Sequence, residues 1–347
     1  MRLKRCLIGL LILACLLPTL TGCANRTKKY ASKGFEYFDT FYLLTVYTND
    51  EKTFRQYADL CRDTIKEYHQ LLDIYHTYDG INNLKTVNDR AGETVTVEPR
   101  LYDFLTYAKE IYDKTQGYTN ILMGSVTSLW HEKRAEANRG KEPSLPSPEA
   151  ITEALAHTDI HTLLLSVDGS SVMLTDPDSS LDAGALGKGY TAQKIAESLL
   201  AAGCENFLLN MGGNTVAYGT KPKGDAWLVG IQTPNGHEGY APSVRLTDAS
   251  LVTSGSYERN LTVDGKQYHH IVHPETGYPM DTYVSVSVLC RDSSLADALS
   301  TALFSMTPED GMALIESLPE AEALWLCTDG STFCSNGWKS HTEGATK

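Results

Sequence analysis

The order of helical and extended patterns along this chain limits the folds open to it. Apolar residues recur at helical spacing over residues 57–72, 101–112 and 295–306, and Ser147 with Pro148 marks another helix start. Extended patterns lie between them, at 35–47, 163–167, 172–174, 207–209, 227–232, 284–289 and 324–327. Because strands and helices do not alternate one for one, we predict an α+β fold, a single domain in which helices pack on a mixed sheet.

The N-terminus has the order of charge, apolar core and cleavage box that is typical of a lipoprotein signal. Three basic residues precede an apolar run over residues 7–17, which is shorter than the roughly 20 residues that a membrane-spanning helix needs. The run leads to Leu20-Thr21-Gly22-Cys23, whose small residues suit a lipoprotein signal peptidase. We therefore predict a signal peptide over residues 1–22 and a lipid such as palmitate on Cys23.

The mature chain is predicted to begin at Cys23 and to have two parts. Residues 23–34, rich in Lys, Asn, Ser and Thr, are expected to be a tether, and residues 35–340 to be the folded domain. This places the domain outside the cytoplasm, held to the cell membrane by its lipid. Loss of the signal's three positive charges takes the formal net charge from −13 to −16. So acidic a protein is not expected to bind nucleic acid.

The mature domain keeps five cysteines, which show no paired spacing of the zinc-binding type. Buried free thiols are therefore expected. A local disulfide between Cys327 and Cys334 stays open as an alternative, because the predicted compartment is oxidising. Residues 131–146 are dense in charge and end in a proline-rich stretch, which predicts an exposed loop.

A glycine-rich turn with one acid and one base precedes a helical pattern: Leu181-Asp182-Ala183-Gly184-Ala185-Leu186-Gly187-Lys188-Gly189-Tyr190. Glycines let the backbone approach a ligand closely, and a helix start offers unpaired N–H groups and a positive dipole end. Lys188 adds a mobile positive charge, and Asp182 is suited to a metal or a ligand hydroxyl. The segment therefore suits a phosphate or pyrophosphate; the alternative is a tight turn with an exposed lysine.

Further polar segments follow this turn. Residues 210–214 (Asn-Met-Gly-Gly-Asn) come after a predicted strand, and residues 253–259 form a second glycine-bearing turn. Residues 268–277 place three histidines beside a Pro-x-Thr-Gly turn. His269 and His270 are adjacent, so they would point to opposite faces of an extended segment, which argues against a shared metal. One imidazole remains a candidate proton acceptor, since histidine titrates near neutral pH.

Asp297 and Thr301 are four residues apart in a predicted helix, so their oxygens lie on one face. A carboxylate and a hydroxyl are the hard oxygen ligands that Mg²⁺ prefers, and Mg²⁺ completes its shell with water and substrate phosphates. The alternative is an ordinary helix residue with a local hydroxyl hydrogen bond. The apolar run around Asp297 favours the metal, because a buried carboxylate needs a partner.

Taken in order, these motifs resemble the ApbE family, the FAD:protein FMN transferases. The family's five motifs match, in turn, residues 182–189, 210–214, 254–258, 270–277 and 296–301. The similarity extends from about Phe35 to Met306, which is most of the mature chain. It implies an enzyme that splits FAD at its pyrophosphate, joins FMN through a phosphoester to a Thr or Ser of an acceptor flavoprotein, and releases AMP.

The resemblance also implies site residues. The Mg²⁺ ligands would be the Asp297 carboxylate, the Thr301 hydroxyl and the Ala185 carbonyl, and His270 is our hypothesis for the base that takes the acceptor's proton. The expected FAD contacts are Asp182, Lys188 and, with weaker matches, Phe38, Tyr78, Ile121, Leu122, Met123 and Ile271 or Val272. With the lipid anchor, it points to an acceptor in a membrane electron-transfer complex.

Two other activities fit the same residues. A Mg²⁺-dependent FAD pyrophosphatase would use water in place of the acceptor hydroxyl and give FMN and AMP, whereas a noncatalytic flavin-binding lipoprotein would keep FAD intact. A solute-binding lipoprotein is disfavoured by the lysine turn and the Asp297–Thr301 pair. The chain departs from the family's frequent aspartates at Asn120, Gln193, Ser256 and His273. We expect activity with changed affinity.

Overall fold

The computed structural model describes residues 27–232 and 243–342, so the predicted signal peptide and Cys23 lie outside the described residues. The described residues form eight α-helices, which are α1 (Glu51–Leu72), α2 (Leu84–Asp89), α3 (Pro99–Lys114), α4 (Gly124–Asn138), α5 (Pro148–Leu155), α6 (Gly187–Ala201), α7 (Ser293–Ser305) and α8 (Pro308–Glu316). No helix among them is long and apolar enough to cross a membrane.

Fifteen strands accompany the described helices: β1 (Lys28–Tyr37), β2 (Thr40–Thr48), β3 (Thr94–Thr96), β4 (Leu163–Leu165), β5 (Ser171–Leu174), β6 (Phe207–Met211), β7 (Asn214–Tyr218), β8 (Trp227–Gly230), β9 (Ser243–Leu246), β10 (Ala249–Gly255), β11 (Leu261–Val263), β12 (Lys266–Tyr268), β13 (Tyr283–Cys290), β14 (Ala321–Cys327) and β15 (Thr332–Cys334). Eight of them form one sheet in the order β1-β2-β6-β7-β10-β13-β14-β15. The smaller sheets are β3-β5-β4, β8-β9 and β11-β12.

Polar side chains cap the helix starts that the sequence marks. At α5 the Ser147 hydroxyl accepts the Ala150 N–H at 3.1 Å, and Pro148 occupies the first helical position. At α7 the Asp292 carboxylate accepts the Ser294 N–H at 2.7 Å. Unpaired N–H groups of the first turn are thereby satisfied, and the predicted helix starting after Ser147 is confirmed.

The large sheet carries apolar layers on both faces. Val252 of β10 and Val286 of β13 belong to the main core, where α6 and α7 pack against each other and against the sheet. Their neighbours Leu251 and Leu289 point the other way, into a second cluster with Trp227 of β8. Because strand side chains alternate between faces, β13 is buried along its whole length. The predicted α+β class is confirmed.

The segment predicted as one strand over residues 35–47 is a hairpin. β1 begins at Lys28, which pairs with Thr48 at the far end of β2. The two-residue turn is Phe38-Asp39, and both residues have positive φ, 56° and 49°, as the favoured hairpin turns require. Backbone pairing with β2 therefore makes residues 28–34 a strand, and the prediction of a tether through residue 34 and a domain start at 35 is wrong.

Three further expectations change. The large sheet is antiparallel at every pairing rather than mixed, because hairpins join many of its neighbours and two consecutive helices return the chain from β13 to β14. Helix α4 continues to Asn138, so residues 131–138 are not loop.

Cys334 pairs across the ladder with Leu324, three residues from Cys327. That offset, about 10 Å along a strand, is too long for a disulfide, and both thiols are free.

Candidate active site

The glycine-rich turn is tied to the neck between α3 and α4. Asp182 donates its backbone N–H to the Ile121 carbonyl at 2.8 Å. Its carboxylate accepts the Thr127 hydroxyl through Oδ2 at 2.6 Å and the Gly184 N–H through Oδ1 at 2.8 Å. Both Asp182 oxygens are therefore held by hydrogen bonds, and the carboxylate is fixed beside the turn that leads into α6.

Lys188 and Gly189 lie in the first turn of α6, where this helix crosses α7. The Gly189 N–H donates to Asp297 Oδ2 at 2.6 Å. A side chain at Gly189 has no room, since a Cβ there would lie 2.5 Å from the Ser293 carbonyl oxygen and 2.9 Å from Asp297 Oδ2. The close crossing therefore brings together Lys188 and Asp297, which are over a hundred residues apart in sequence.

Asp297 is a buried carboxylate, with 4 % of its surface exposed. Burial raises its pKa above the ordinary carboxyl value, and Lys188, the Gly189 N–H and Asn214 offset only part of that rise. Asn214 lowers the pKa of Asp297 although the two side chains form no hydrogen bond of ordinary geometry. The buried Asn214 Nδ2 has no hydrogen-bond partner among the described residues. Thr301 lies one turn further along α7 and is half-buried, as is Ala185 in the glycine turn.

This donor set fits Mg²⁺. This set offers only three protein ligands: one buried carboxylate, one hydroxyl and one carbonyl. Mg²⁺ commonly binds to few protein ligands, because water and substrate phosphates complete its coordination shell. Asp297 is bonded to the protein through Oδ2 only, as far as the described hydrogen bonds extend.

A second cluster of metal-type ligands lies away from the glycine turn. Among the described residues, His157, Asp176 and Asp178 alone bring three His, Cys, Asp or Glu ligand atoms within 4.8 Å of one another. His157 Nδ1 is 2.8 Å from Asp176 Oδ2, and this hydrogen bond raises the pKa of His157. His157 and Asp176 already form a local ion pair, so their closeness does not require a metal.

The Asn210–Asn214 turn faces the same site and has unpaired polar atoms. Lys188 Nζ donates to the Gly212 carbonyl at 3.3 Å, which joins this turn to the start of α6. Asn210 Oδ1 and Asn214 Nδ2 are buried and have no partner within the described ranges. Asn214 lies on the side of the sheet that faces α6, whereas Asn210 bonds to Thr215 on the opposite side. Buried amide atoms normally find a hydrogen bond, so Asn214 Nδ2 marks a place where a polar ligand would complete the site.

His270 is held by the polar turn at residues 254–258. Its Nδ1 lies 3.2 Å from the Glu258 carbonyl oxygen, which can only accept, so Nδ1 carries the proton and Nε2 is the free acceptor. Burial, with the positive charges of Arg259 and Lys188, lowers the pKa of His270 to about 3. The neighbouring His269 instead contacts the Met280 carbonyl, which supports the prediction that the two rings diverge.

Two of the predicted flavin-contacting aromatics form one network at the hairpin turn. The Phe38 N–H donates to His69 Nδ1 at 3.4 Å, and the Phe38 and His69 rings meet edge to face at 5.5 Å. Tyr78 packs on the other side of His69 and donates its hydroxyl to Asp73 at 2.7 Å. Burial and Asp73 raise the pKa of Tyr78 to about 12, so its phenol remains protonated. Phe38 also lies against Gly187 at the start of α6.

The remaining predicted contacts are core residues. Ile121, Leu122 and Ile271 are buried in the main cluster, and Met123 is buried beside α4. Their side chains are occupied by packing, so only their backbone is free to meet a ligand. The Gly124 N–H bonds to the Ser180 carbonyl at 3.0 Å, which lays this neck alongside Asp182.

Two arginines belong to the site, and neither is among the predicted ligand contacts. Thr127, His131 and Arg134 are spaced by four and three residues on α4, so they share one face. Thr127 bonds Asp182 and His131 contacts Tyr75, which places this face against the site. Arg134 Nη1 is buried without a partner among the described residues.

Arg259 is the second of these arginines, and its positive charge acts on both Arg134 and His270. Burial and Arg259 together lower the pKa of Arg134. Two guanidinium groups therefore approach one another at the same site as Lys188. The helical spacing of Thr127, His131 and Arg134 continues past Trp130 and could have placed Arg134 on a helix. That stretch was predicted to be a loop.

The four departures from the family's aspartates all bond to backbone. Asn120 accepts the Leu122 N–H at 2.9 Å and donates to the Thr158 carbonyl at 2.8 Å, which shapes the neck before α4. Gln193 accepts the Ser293 N–H at 3.0 Å and so links α6 to the start of α7. Ser256 donates to a carbonyl of β13, and His273 accepts the N–H of Glu275. Each uncharged side chain thus has a local structural partner.

Comparison with known proteins points to one family. The family model described as the ApbE family matches residues 38–325. An FAD:protein FMN transferase of Treponema pallidum is 36 % identical over 272 residues, covering 73 % of each chain. One of Klebsiella pneumoniae is 30 % identical over 287 residues, covering 82 % of this chain and 85 % of that one. The crystal structure of the ApbE protein of Thermotoga maritima superimposes with a TM-score of 0.80 at 28 % identity, covering 91 % and 100 % of the two chains.

Proposed function

The chain belongs to the ApbE family and is a transferase, and on this premise we propose that it moves the FMN half of FAD onto an acceptor flavoprotein. The acceptor's Thr or Ser hydroxyl attacks the FMN-side phosphorus, the bond to the second phosphate breaks, and AMP leaves. The observation that carries the proposal is the crossing of α6 and α7, where the Gly189 N–H bonds to buried Asp297 beside Lys188.

The cationic groups of the site are proposed to bind the pyrophosphate of FAD. Lys188, Arg134 and Arg259 supply positive charge, and the start of α6 adds the positive end of its helix dipole. Phosphoryl transfer depends mainly on positioning and charge neutralisation, which these groups provide. The unpaired Nδ2 of Asn214, on the same side of the sheet as α6, would bond to the same ligand.

Asp297, Thr301 and the Ala185 carbonyl are the proposed ligands of Mg²⁺. When bound, Mg²⁺ neutralises charge on the pyrophosphate oxygens. Burial raises the pKa of Asp297, and Lys188, the Gly189 N–H and Asn214 offset part of that rise and so favour the ionised form that a cation would bind.

His270 is the proposed acceptor of the proton from the attacking hydroxyl. Its Nδ1–H is held by the Glu258 carbonyl, so Nε2 presents a lone pair. Burial lowers the pKa of His270 most, and Arg259 and Lys188 lower it further in the ligand-free protein. A bound pyrophosphate would neutralise both cations and so raise the pKa of His270 by removing their share of the shift, while the effect of burial remains. Substrate binding would thus strengthen the base.

We place this activity outside the cytoplasm, on a chain anchored through Cys23. The support is the order of charge, apolar run and cleavage box in the sequence. An acceptor in a membrane electron-transfer complex fits that position.

One incubation tests the proposed reaction: mature protein, FAD, Mg²⁺ and a candidate acceptor, with mass spectrometry of the acceptor and an assay for AMP. An acceptor whose target Thr or Ser is replaced by Ala is the matched control. A mass gain of one FMN on the intact acceptor, with AMP, is the expected result. Free FMN and AMP with an unlabelled acceptor would indicate a pyrophosphatase, and intact FAD a binding protein.

A further inference from the structure

One face of the β1–β2 hairpin combines exposed apolar rings with positive charge. Phe35, Phe41 and Leu43 are 72 %, 40 % and 36 % exposed, and Lys29 and Lys33 are exposed beside them. We call these five residues the hairpin face. Large apolar side chains clustered at a surface mark an interaction site more often than scattered ones do.

The register of the hairpin puts these residues on the same side. Lys33 pairs with Leu43, and the Phe35 and Phe41 rings lie 6.2 Å apart. Tyr30, offset by one position from Lys29, points to the opposite side and stacks on Phe54 of α1. The hairpin face is therefore the side of β1 and β2 that α1 does not cover.

The acidic residue nearest to these lysines in sequence is turned away from them. Glu36 folds over Gly34 toward the Tyr42 ring, on the side that faces α1, where its charge raises the pKa of Tyr42. The hairpin face is thus apolar and basic on a chain with a formal net charge of −13. That contrast suits an anionic partner with an apolar interior.

The predicted anchor ends close to this face. Only residues 24–27 separate Cys23 from Lys28, so the chain between them spans at most about 17 Å. β1 is also the edge strand of the large sheet. A lipid on Cys23 would therefore hold the start of β1 within that distance of the bilayer surface.

We propose that the hairpin face rests on the membrane, with its phenylalanines in the interfacial layer and its lysines on anionic lipid headgroups. Amphipathic surfaces of this composition bind membranes through apolar burial together with attraction to anionic lipid. The lipid on Cys23 and the hairpin face then act at opposite ends of β1, so the strand lies along the surface.

This membrane contact would orient the active site relative to the bilayer. The hairpin turn carries Phe38, which packs against Gly187 at the start of α6. Membrane contact through the hairpin would therefore hold the site next to the bilayer and favour acceptor segments that lie near the membrane. This consequence and the Cys23 anchor rest on the proposed function, whereas vesicle binding is measured without lipid on Cys23 and without flavin transfer.

The test measures binding of the mature chain to vesicles, with Cys23→Ser so that no lipid contributes. All described elements lie after residue 27, so this chain keeps the whole fold. Sedimentation is measured with vesicles in which about 1 in 3 lipids is anionic phosphatidylglycerol and the rest are phosphatidylcholine, and with vesicles of pure phosphatidylcholine. The two kinds of vesicle differ in headgroup charge, so the difference in binding reports the effect of that charge. We expect binding to the anionic vesicles that weakens with salt.

Two variants and a control separate the hairpin from other surfaces. Phe35→Ser with Phe41→Ser, and Lys29→Gln with Lys33→Gln, should each weaken vesicle binding at least about tenfold. Leu164→Ser with Val167→Ser removes exposed apolar residues on the β4–β5 hairpin and should leave binding unchanged. FAD binding and the thermal midpoint confirm that each variant folds.

Four results would overturn the proposal. The first is absence of binding to anionic vesicles at low salt, and the second is binding that the hairpin variants do not change. The third is a wild-type dimer, measured by light scattering, that the phenylalanine variant dissociates, since the face would then bind a second copy. Loss of flavin transfer to the acceptor with vesicle binding intact would assign the face to the acceptor and equally refute membrane contact.

Discussion

Replacing Arg134 by Met should weaken FAD binding and leave riboflavin binding intact. The guanidinium has a buried Nη1 without a partner in the described chain, on the α4 face that bonds to Asp182 through Thr127. If the pyrophosphate of FAD is that partner, Met keeps most of the side chain's apolar stem and removes only the charged contact. Riboflavin has no phosphate, so it does not use Arg134.

The size of the effect follows from the type of bond. A hydrogen bond to a charged group contributes about 1.5–3 kcal/mol, which corresponds to a rise in Kd of about 10- to 150-fold. Arg134→Lys should give an intermediate rise, because Lys keeps the charge but not the fork of donors. The ligand-free Met variant should be as stable as the wild type or more so, since the unpaired buried donor is gone.

Flavin fluorescence titrations with FAD and with riboflavin, both with Mg²⁺ present, provide the measurement. Arg139→Met is the matched control, because it removes the same charge from the exposed end of the same helix. An equal loss of affinity for both ligands would mean that the substitution damages the pocket. Unchanged affinity for FAD would show that Arg134 does not contact the pyrophosphate, and either result refutes the assignment.

The other predictions concern the helix crossing and the base. Asp297→Asn should lower the transfer rate by about 100-fold or more and abolish the Mg²⁺ dependence of the rate. Its melting temperature should stay at or above that of the wild type, because a buried charge is removed. A wild-type transfer rate in this variant would refute the metal assignment. Gly189→Ala should destabilise the fold by roughly 1–3 kcal/mol in denaturant titrations, since its Cβ meets the Ser293 carbonyl. His270 is neutral in the ligand-free fold because its pKa is lowered to about 3, so the unfolded chain binds more protons as pH falls below about 6.5. Stability should therefore drop from pH 7.5 to 5 more in the wild type than in His270→Gln, and equal drops in the two melting curves would contradict this.

Local sequence patterns predicted the elements that depend on near neighbours. The helix after Ser147 and the helix carrying Asp297 both formed as expected, because caps and apolar spacing act within a few residues. The hairpin turn at Phe38-Asp39 was missed, since neither glycine nor asparagine marks it. The helix around Arg134 was missed because its surface is charged, although its spacing continues that of the buried residues before it.

Side-chain types and short spacings predict the chemistry of the candidate site: the acid, the base, the glycines and the helix that carries Asp297 and Thr301. Three relations appear in the fold and in no local pattern. Gly189 bonds Asp297, Arg134 and Arg259 approach the same place, and the hairpin face is apolar and basic. These relations join residues far apart in the chain, and they arise from the packing of α4, α6 and α7 and the pairing of β1 with β2, which no local pattern records.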